Sequence, residues 1–285
     1  MFMSGGGSLS ISSALFINNT ALGHGGAAHV GQDVVCKLKK SLFAQNTAGE
    51  YGGALSTWRT NSIRIEGGCD FANNTASWAG AALIYNDEGA GVLIEDAKFR
   101  NNMASGSAKT NMFQLNDNDN IGAGGALYLQ LAYQSAKPVF LSKTQFSDNN
   151  ATWGGGLYIN TEGCGRKSFT VCGVFASGLR LQENSAKSAG GGVFLDNVRR
   201  FRVKCGTPIT GDFTPGDPTL VRVETSAMFC KQQWVNNTVG AGGYGAVIAT
   251  PAYRLGVREP YDKSPVVTPL SHALVQVRGV QHYLM

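Results

Sequence analysis

The sequence predicts an all-β chain: a right-handed parallel β-helix (solenoid) with about three short strands per rung. Three observations predict it. The first is a pair of strings that recurs along the 285 residues. An aromatic is followed three positions later by Asn, and a Gly-Gly-Ala-like step begins six residues after that Asn. The copies are Phe16/Asn19 with Gly25-Gly26, Phe43/Asn46 with Gly52-Gly53, Phe71/Asn74 with Gly80, and Phe146/Asn149 with Gly155-Gly156. Weaker copies are Leu181/Asn184 with Gly190 and Trp234/Asn237 with Gly243. The second is the period, since Phe16, Phe43, Phe71 and Phe99 fall 27, 28 and 28 residues apart. Self-similarity at such a period marks an architecture of stacked repeats. The third is the texture between the copies, which is short alternating runs bounded by turn residues, with no helical pattern.

Taken in order, each repeat supplies three strands. After Gly25-Gly26 come Ala28-His29-Val30, Val34 to Leu38, and Leu42-Phe43. After Gly80 come Leu83-Ile84-Tyr85, Val92 to Glu95, and Lys98-Phe99. After Gly124-Gly125 come Leu127-Tyr128-Leu129, Val139-Phe140-Leu141, and Phe146. Glycine permits φ > 0 and close backbone approach, so Gly-Gly suits a corner where rungs stack tightly. Asn tolerates left-handed backbone and, at equivalent positions, can hydrogen-bond from rung to rung as a ladder. The aromatic keeps one place in the repeat. Phe16, Phe43, Phe71, Phe99 and Phe146 are therefore expected in one internal column, about 4.8 Å apart. Phe99/Asn102 reaches Gly124-Gly125 only across residues 103–123, expected to form a protruding loop that adds no complete rung. Larger insertions are expected near Thr161 to Cys164 and between Cys205 and Cys230. Residues 1–250 read as the repeat domain, and 251–285 as a Pro-containing C-terminal cap, linker or truncated next module.

The paired strings resemble the repeats of the chlamydial-type polymorphic outer-membrane protein family, marked by Phe-x-x-Asn and Gly-Gly-Ala-(Ile/Leu/Val). The matching residues are Phe16/Asn19, Gly25 to Ala27, Phe43/Asn46, Gly52 to Leu55, Phe71/Asn74, Phe99/Asn102, Gly124 to Leu127 and Phe146/Asn149. The resemblance covers roughly residues 5–250 and implies a surface-exposed passenger β-helix linked to adhesion. Autotransporter members of that family carry a signal peptide and a C-terminal membrane barrel, and neither is visible here. Such repeats also occur in large extracellular proteins of microbial eukaryotes.

Composition narrows the function. No apolar run approaches membrane-spanning length, so no transmembrane segment is expected in this chain. No secretory signal precedes the first repeat, which reads as a fragment or a displaced start, not as a cytosolic protein. An extracellular or cell-surface location (outer membrane if bacterial) is expected. Of six cysteines, Cys164/Cys172 and Cys205/Cys230 bracket insertions and read as loop-closing disulfides, with buried free thiols as the alternative. Cys36 and Cys69 fall at different points of the rung, which argues against their pairing. Sequons stand at Asn18, Asn73, Asn150 and Asn236. Three of them directly precede a ladder Asn and should point outward, although Asn-rich turns also produce sequons by chance.

No catalytic, cofactor or metal residues are singled out. Gly240-Ala-Gly242-Gly243-Tyr-Gly245 matches a dinucleotide string, but a strand should follow it, and the phosphate-binding mechanism needs a helix N-terminus. Asp117 and Asp119 read as a solvated loop before a Ca²⁺ site. His24 and His29 are five apart in a turn-strand segment, so they should not share a face and make a poor metal pair. The acids Asp87, Glu88 and Asp96 show no recurrent pairing, whereas glycoside hydrolysis needs two carboxylates across a cleft. Arg200, Arg202 and Lys204 alternate with Phe201 and Val203 and should face outward. With a net charge of +5, they are possible contacts for surface glycans. Trp58, Tyr85 and Trp153 are further surface candidates, though Trp78 and Trp153 could equally cover turns. Host or neighbour cell-surface proteins are alternative partners, and no nucleic-acid module is present. The expected function is a non-catalytic, adhesin-like or structural stalk module. The alternatives are a carbohydrate-active (pectate-lyase-like) β-helix enzyme and a passive spacer in a larger wall or matrix protein.

Overall fold

The computed structural model describes residues 1–86, 91–106, 122–131, 139–160, 174–196, 200–204, 222–225, 234–249, 274–277 and 280–283. For 86, 200–204, 222–225, 274–277 and 280–283 it describes the backbone only. The described residues hold strands and no helix, and every strand pairing but one is parallel. The exception is the hairpin of Leu274–Val277 with Val280–Tyr283.

The chain visits four sheets in turn and then climbs to the next coil. Ala28–Val30, Leu55–Trp58, Ala82–Asn86, Leu127–Leu131, Leu157–Asn160 and Val193–Asp196 stack in chain order in the first sheet. Val34–Lys39, Ser62–Glu66, Gly91–Glu95, Val139–Ser142, Val174–Ser177 and Arg200–Lys204 do so in the second. Leu42–Ala44, Asp70–Ala72, Lys98–Arg100, Gln145–Ser147 and Arg180–Gln182 stack in the third. The fourth sheet takes Thr47–Ala48, Thr75–Ala76, Met103–Ala104, Asn150–Trp153 and Ser185–Ala189. The three-strand reading of the sequence does not separate this fourth sheet. A Thr-Ala pair is too short to show alternation.

Side chains of one parity enter the solenoid. Cys36, Leu38, Ile63, Ile65, Val92, Ile94, Val139 and Leu141 are buried along the second sheet. In the third sheet Phe16, Phe43, Phe71, Phe99 and Phe146 pair in register. Their ring centroids stack 4.9, 4.7, 4.8 and 5.0 Å apart, tilted by no more than 10°. Leu181 and Trp234 continue the column. Each buried ring contributes about 2–3 kcal/mol by area, and each stack roughly 0.5–1.5 kcal/mol more.

Beside that column runs the ladder of Asn19, Asn46, Asn74, Asn102, Asn149, Asn184 and Asn237. Asn102 shows its chemistry. Its Nδ2 donates to Phe71 O at 2.9 Å and to Asn149 Oδ1 at 2.9 Å. Its Oδ1 accepts from the Asn74 backbone N–H at 2.9 Å and from Asn74 Nδ2 at 3.0 Å. A buried amide thus uses both donors and both lone pairs, which removes the cost of burying it. The ladder also offsets local strain. The residue before each ladder Asn (Asn18, Gln45, Asn73, Asn101, Asp148, Glu183 and Asn236) has φ between 54° and 57°. A left-handed non-glycine residue costs roughly 1–2 kcal/mol, so this corner persists because the bonds beside it hold it.

The corner into the first sheet is left-handed at Gly25, Gly52, Ala79, Gly124, Gly154, Gly190 and Gly245. The next residue, as at Gly26, Gly53, Gly80, Gly125 and Gly155, faces backbone of the following coil, where a Cβ would collide with a carbonyl oxygen. The fixed six-residue spacing from Asn to the first glycine therefore does not hold everywhere. The left-handed residue lies one position earlier at Ala79 and Gly154, and Trp78 and Trp153 precede these shorter corners.

The insertion after Asn102 begins later than the sequence suggests. Met103–Ala104 belongs to the fourth sheet, and the N–H groups of Ser105 and Gly106 donate to Ala76 O and Ser77 O. Gly122 and Ala123 are back in the coil, where Ala123 bridges Trp153. Residues 107–121, with Asp117 and Asp119, lie outside the described residues. The strand Ala82–Asn86 pairs directly with Leu127–Leu131, so no strand of the first sheet comes between them. In the Cys205–Cys230 segment, Arg222–Thr225 adds a parallel strand to Arg200–Lys204. Cys164, Cys172, Cys205 and Cys230 themselves lie outside the described residues. Cys36 and Cys69 are buried free thiols, and burial pushes the Cys36 thiol up to about 12.

Candidate functional site

Among the described residues the interior is filled by the two columns and the aliphatic core, so their chemistry lies on the outside. Four surfaces carry chemistry.

The corner between the fourth and first sheets is re-entrant. The left-handed Gly25 folds the chain back, bringing the rings of His24 and His29 to 5.5 Å. This corrects the expectation that they do not share a face. The spacing does not show the hand of the turn, and the left-handed corner between them brings the two rings together. His24 stacks on Tyr51 at 5.1 Å, and its Nε2 is 3.6 Å from Glu50 Oε2. His29 stacks on Phe2 at 5.4 Å. Burial, then the neighbouring His24, pulls the His29 imidazole down to about 4. Tyr51, Trp78, Leu83, Tyr128, Tyr158 and Phe194 continue this corner as a second apolar cluster. Trp78 is thus buried and covers a turn, and Trp153 packs edge-on against Phe194 at 5.1 Å. Trp58 and Tyr85 are half-exposed but stack on one another at 4.3 Å. Among the described residues no group of three or more His, Cys, Asp and Glu is placed to hold a metal ion.

The second surface is the left-handed corner before the ladder. Asn18, Asn73 and Asn236 are exposed there, as is Asn150 nearby. The same corner places Asp148 and Glu183 on adjacent coils, an acidic pair that the sequence reading missed. Partial burial, then a hydrogen bond with Glu183 and its charge, raises the Asp148 carboxyl. Both residues are exposed.

The third surface is the outer face of the second sheet. Lys37 is paired with Glu66 at 2.8 Å, and the Lys37 bond holds Glu66 below the usual carboxylate range. Arg202 and Lys204 continue this sheet in register with Phe175 and Ser177, and Arg200 lies beside Arg222. The side chains of Arg200, Arg202 and Lys204 are not among those described.

The fourth surface is the corner between the second and third sheets. Asp96, Lys98, Lys143, Gln145, Gly178 and Arg180 line a depression of about 320 Å³ there. Lys98, Gln145 and Arg180 are in register on three successive coils. Beside Lys98 the register places Asp70, but Arg100 already holds that carboxylate in a two-point bond at 2.9–3.2 Å. In the Gly240 to Gly245 string, the strand Ile248–Ala249 follows.

No protein-family model, no curated protein and no solved structure matches the chain.

Proposed function

We propose that the chain is a right-handed parallel β-helix working as a non-catalytic, extracellular or cell-surface module, an adhesin-like or structural stalk. In this reading it is built as polymorphic outer-membrane repeats are. The observation that carries the proposal is the pair of columns, the Phe column continued by Leu181 and Trp234 and the Asn ladder. They tie every coil to the next and leave no room for an interior site. A rod at least seven strands deep in each of four sheets is roughly 30 Å long, and its outer faces are left to meet partners. The exposed sequon asparagines suit a secreted chain. An antibody against the purified protein should label intact source cells. Labelling only after permeabilisation overturns the surface reading.

A second reading, a carbohydrate-active enzyme, is favoured by Asp148 and Glu183, because a raised carboxyl beside an acidic partner is the arrangement of acid–base catalysis. Their direct hydrogen bond argues against it, since hydrolysis needs the acids to stand apart and face one another across bound sugar. Purified protein should release no reducing ends or unsaturated products from pectic or other polysaccharides. Turnover abolished by Asp148→Asn would make the chain an enzyme.

A further inference from the structure

We propose that the depression between the second and third sheets is a binding site for an acidic polysaccharide, held by Lys98, Lys143 and Arg180 along the solenoid axis. The proposal rests on the surface-module reading and names its partner.

Three observations carry it. First, the cations are unspent. Among the described residues none of the three has an ion-pair partner: Arg100 takes the Asp70 carboxylate beside Lys98, and Asp96, the one acid of the lining, is paired with none of them. Elsewhere on the solenoid Lys37 is neutralised by Glu66. Second, the charges lie in a line. Lys98 and Arg180 stand two coils apart in one register column with Gln145 between them, a span of about 10 Å. Lys143 stands at the corner beside them. One coil rise is close to the advance per sugar of an extended polyuronate, so successive carboxylates of one chain can meet successive coils. Third, the lining is mixed. Asp96 and the amide oxygen of Gln145 accept hydrogen bonds, and the Gln145 Nε2 is turned to Gln182 Oε1 at 3.2 Å. Acceptors among cations suit a ligand carrying hydroxyls as well as acid groups. The lining has no aromatic residue, and single-stranded nucleic acid needs stacking platforms.

The test is binding of the full chain to polygalacturonate and to heparin, which separate carboxylate from sulfate recognition. Neutral dextran and single-stranded DNA serve as controls. At least one acidic polysaccharide should bind, more weakly as salt rises. The triple variant Lys98→Gln, Lys143→Asn, Arg180→Gln should bind about tenfold or more weaker, as loss of three exposed charge contacts implies. Its thermal midpoint should be unchanged, since all three side chains are exposed. Lys187→Gln, on the fourth sheet, should bind as the parent does. Equal weakening by Lys187→Gln, equal binding of DNA, or no binding of either acidic polymer overturns the site. Those outcomes leave the stalk reading standing. Polysaccharide turnover or a purely intracellular location would remove that reading while the binding measurement stood.

Discussion

Replacing Asn102 by Ala tests whether the ladder holds the coils together or only decorates them. The substitution removes two donors and an oxygen that accepts twice. It leaves the Asn74 backbone N–H and one hydrogen of Asn74 Nδ2 without partners, and it takes one bond each from Phe71 O and Asn149 Oδ1. Asn74 and Asn149 are fully buried, so water does not readily replace what is lost. Orphaned buried groups cost about 1–3 kcal/mol each, and the space left by the amide adds to this. The expected loss is on the order of 4 kcal/mol, a large share of a domain's usual 5–15 kcal/mol. Asn19 is the internal control. It is half-buried, donates at 2.8 Å to Asn46 Oδ1, and begins the ladder. Water reaches it, so Asn19→Ala should cost only about 1 kcal/mol. Urea unfolding followed by circular dichroism reads both at unchanged slope. Asn102→Asp adds a second arm. A carboxylate oxygen in place of Nδ2 would face two acceptors, so the folded state keeps the acid protonated. That raises its folded pKa, and the variant loses stability as pH rises above the acid's ordinary value of about 4. If Asn102→Ala costs no more than Asn19→Ala, the ladder is not what ties the coils together.

Two further outcomes are expected. Gly53→Ala places a Cβ 2.7 Å from Thr75 N and O and nearer still to the Gly80 carbonyl, so it should lower stability by about 3 kcal/mol; Gly6→Ala, with φ 89° and open space around it, should cost only about 1 kcal/mol, and equal losses in urea would show that strain, not crowding, dominates. His29 has its folded pKa at about 4 against an ordinary 6.5, so the unfolded chain binds the extra proton between these values and the thermal midpoint should fall as pH drops from 6.5 to 4, with no further loss from this group below that; a His29→Phe variant with the same pH profile as the parent would assign the effect elsewhere.

Parallel stacking was legible because the period is carried by residues whose job is the same in every coil. Phe and Asn must repeat, since each one's partner is its own equivalent one coil away. What was not legible shares one physical cause. Coil length varies with insertions, so the separation of equivalent residues runs 28, 47 and 35 for the steps Asn74 to Asn102, Asn102 to Asn149 and Asn149 to Asn184. A surface site running along the axis is therefore scattered through the sequence, and a search for local motifs passes over it. The corner glycines mislead for a related reason. A short corner moves the left-handed residue to Ala79 or Gly154, so counting onward from Asn slips by one. Counting backward does not slip, because nothing is inserted between the second-sheet corner and the ladder in these coils. Six residues before Asn102, Asn149 and Asn184 stand Asp96, Lys143 and Gly178; four before stand Lys98, Gln145 and Arg180; one before stand Asn101, Asp148 and Glu183. Both the basic depression and the acidic pair emerge from that alignment. The ladder Asn is thus more than a structural element. It is the coordinate origin from which this chain's outer faces can be read, because the hydrogen bonds that fix it to its equivalents also fix which side chains on successive coils must lie side by side.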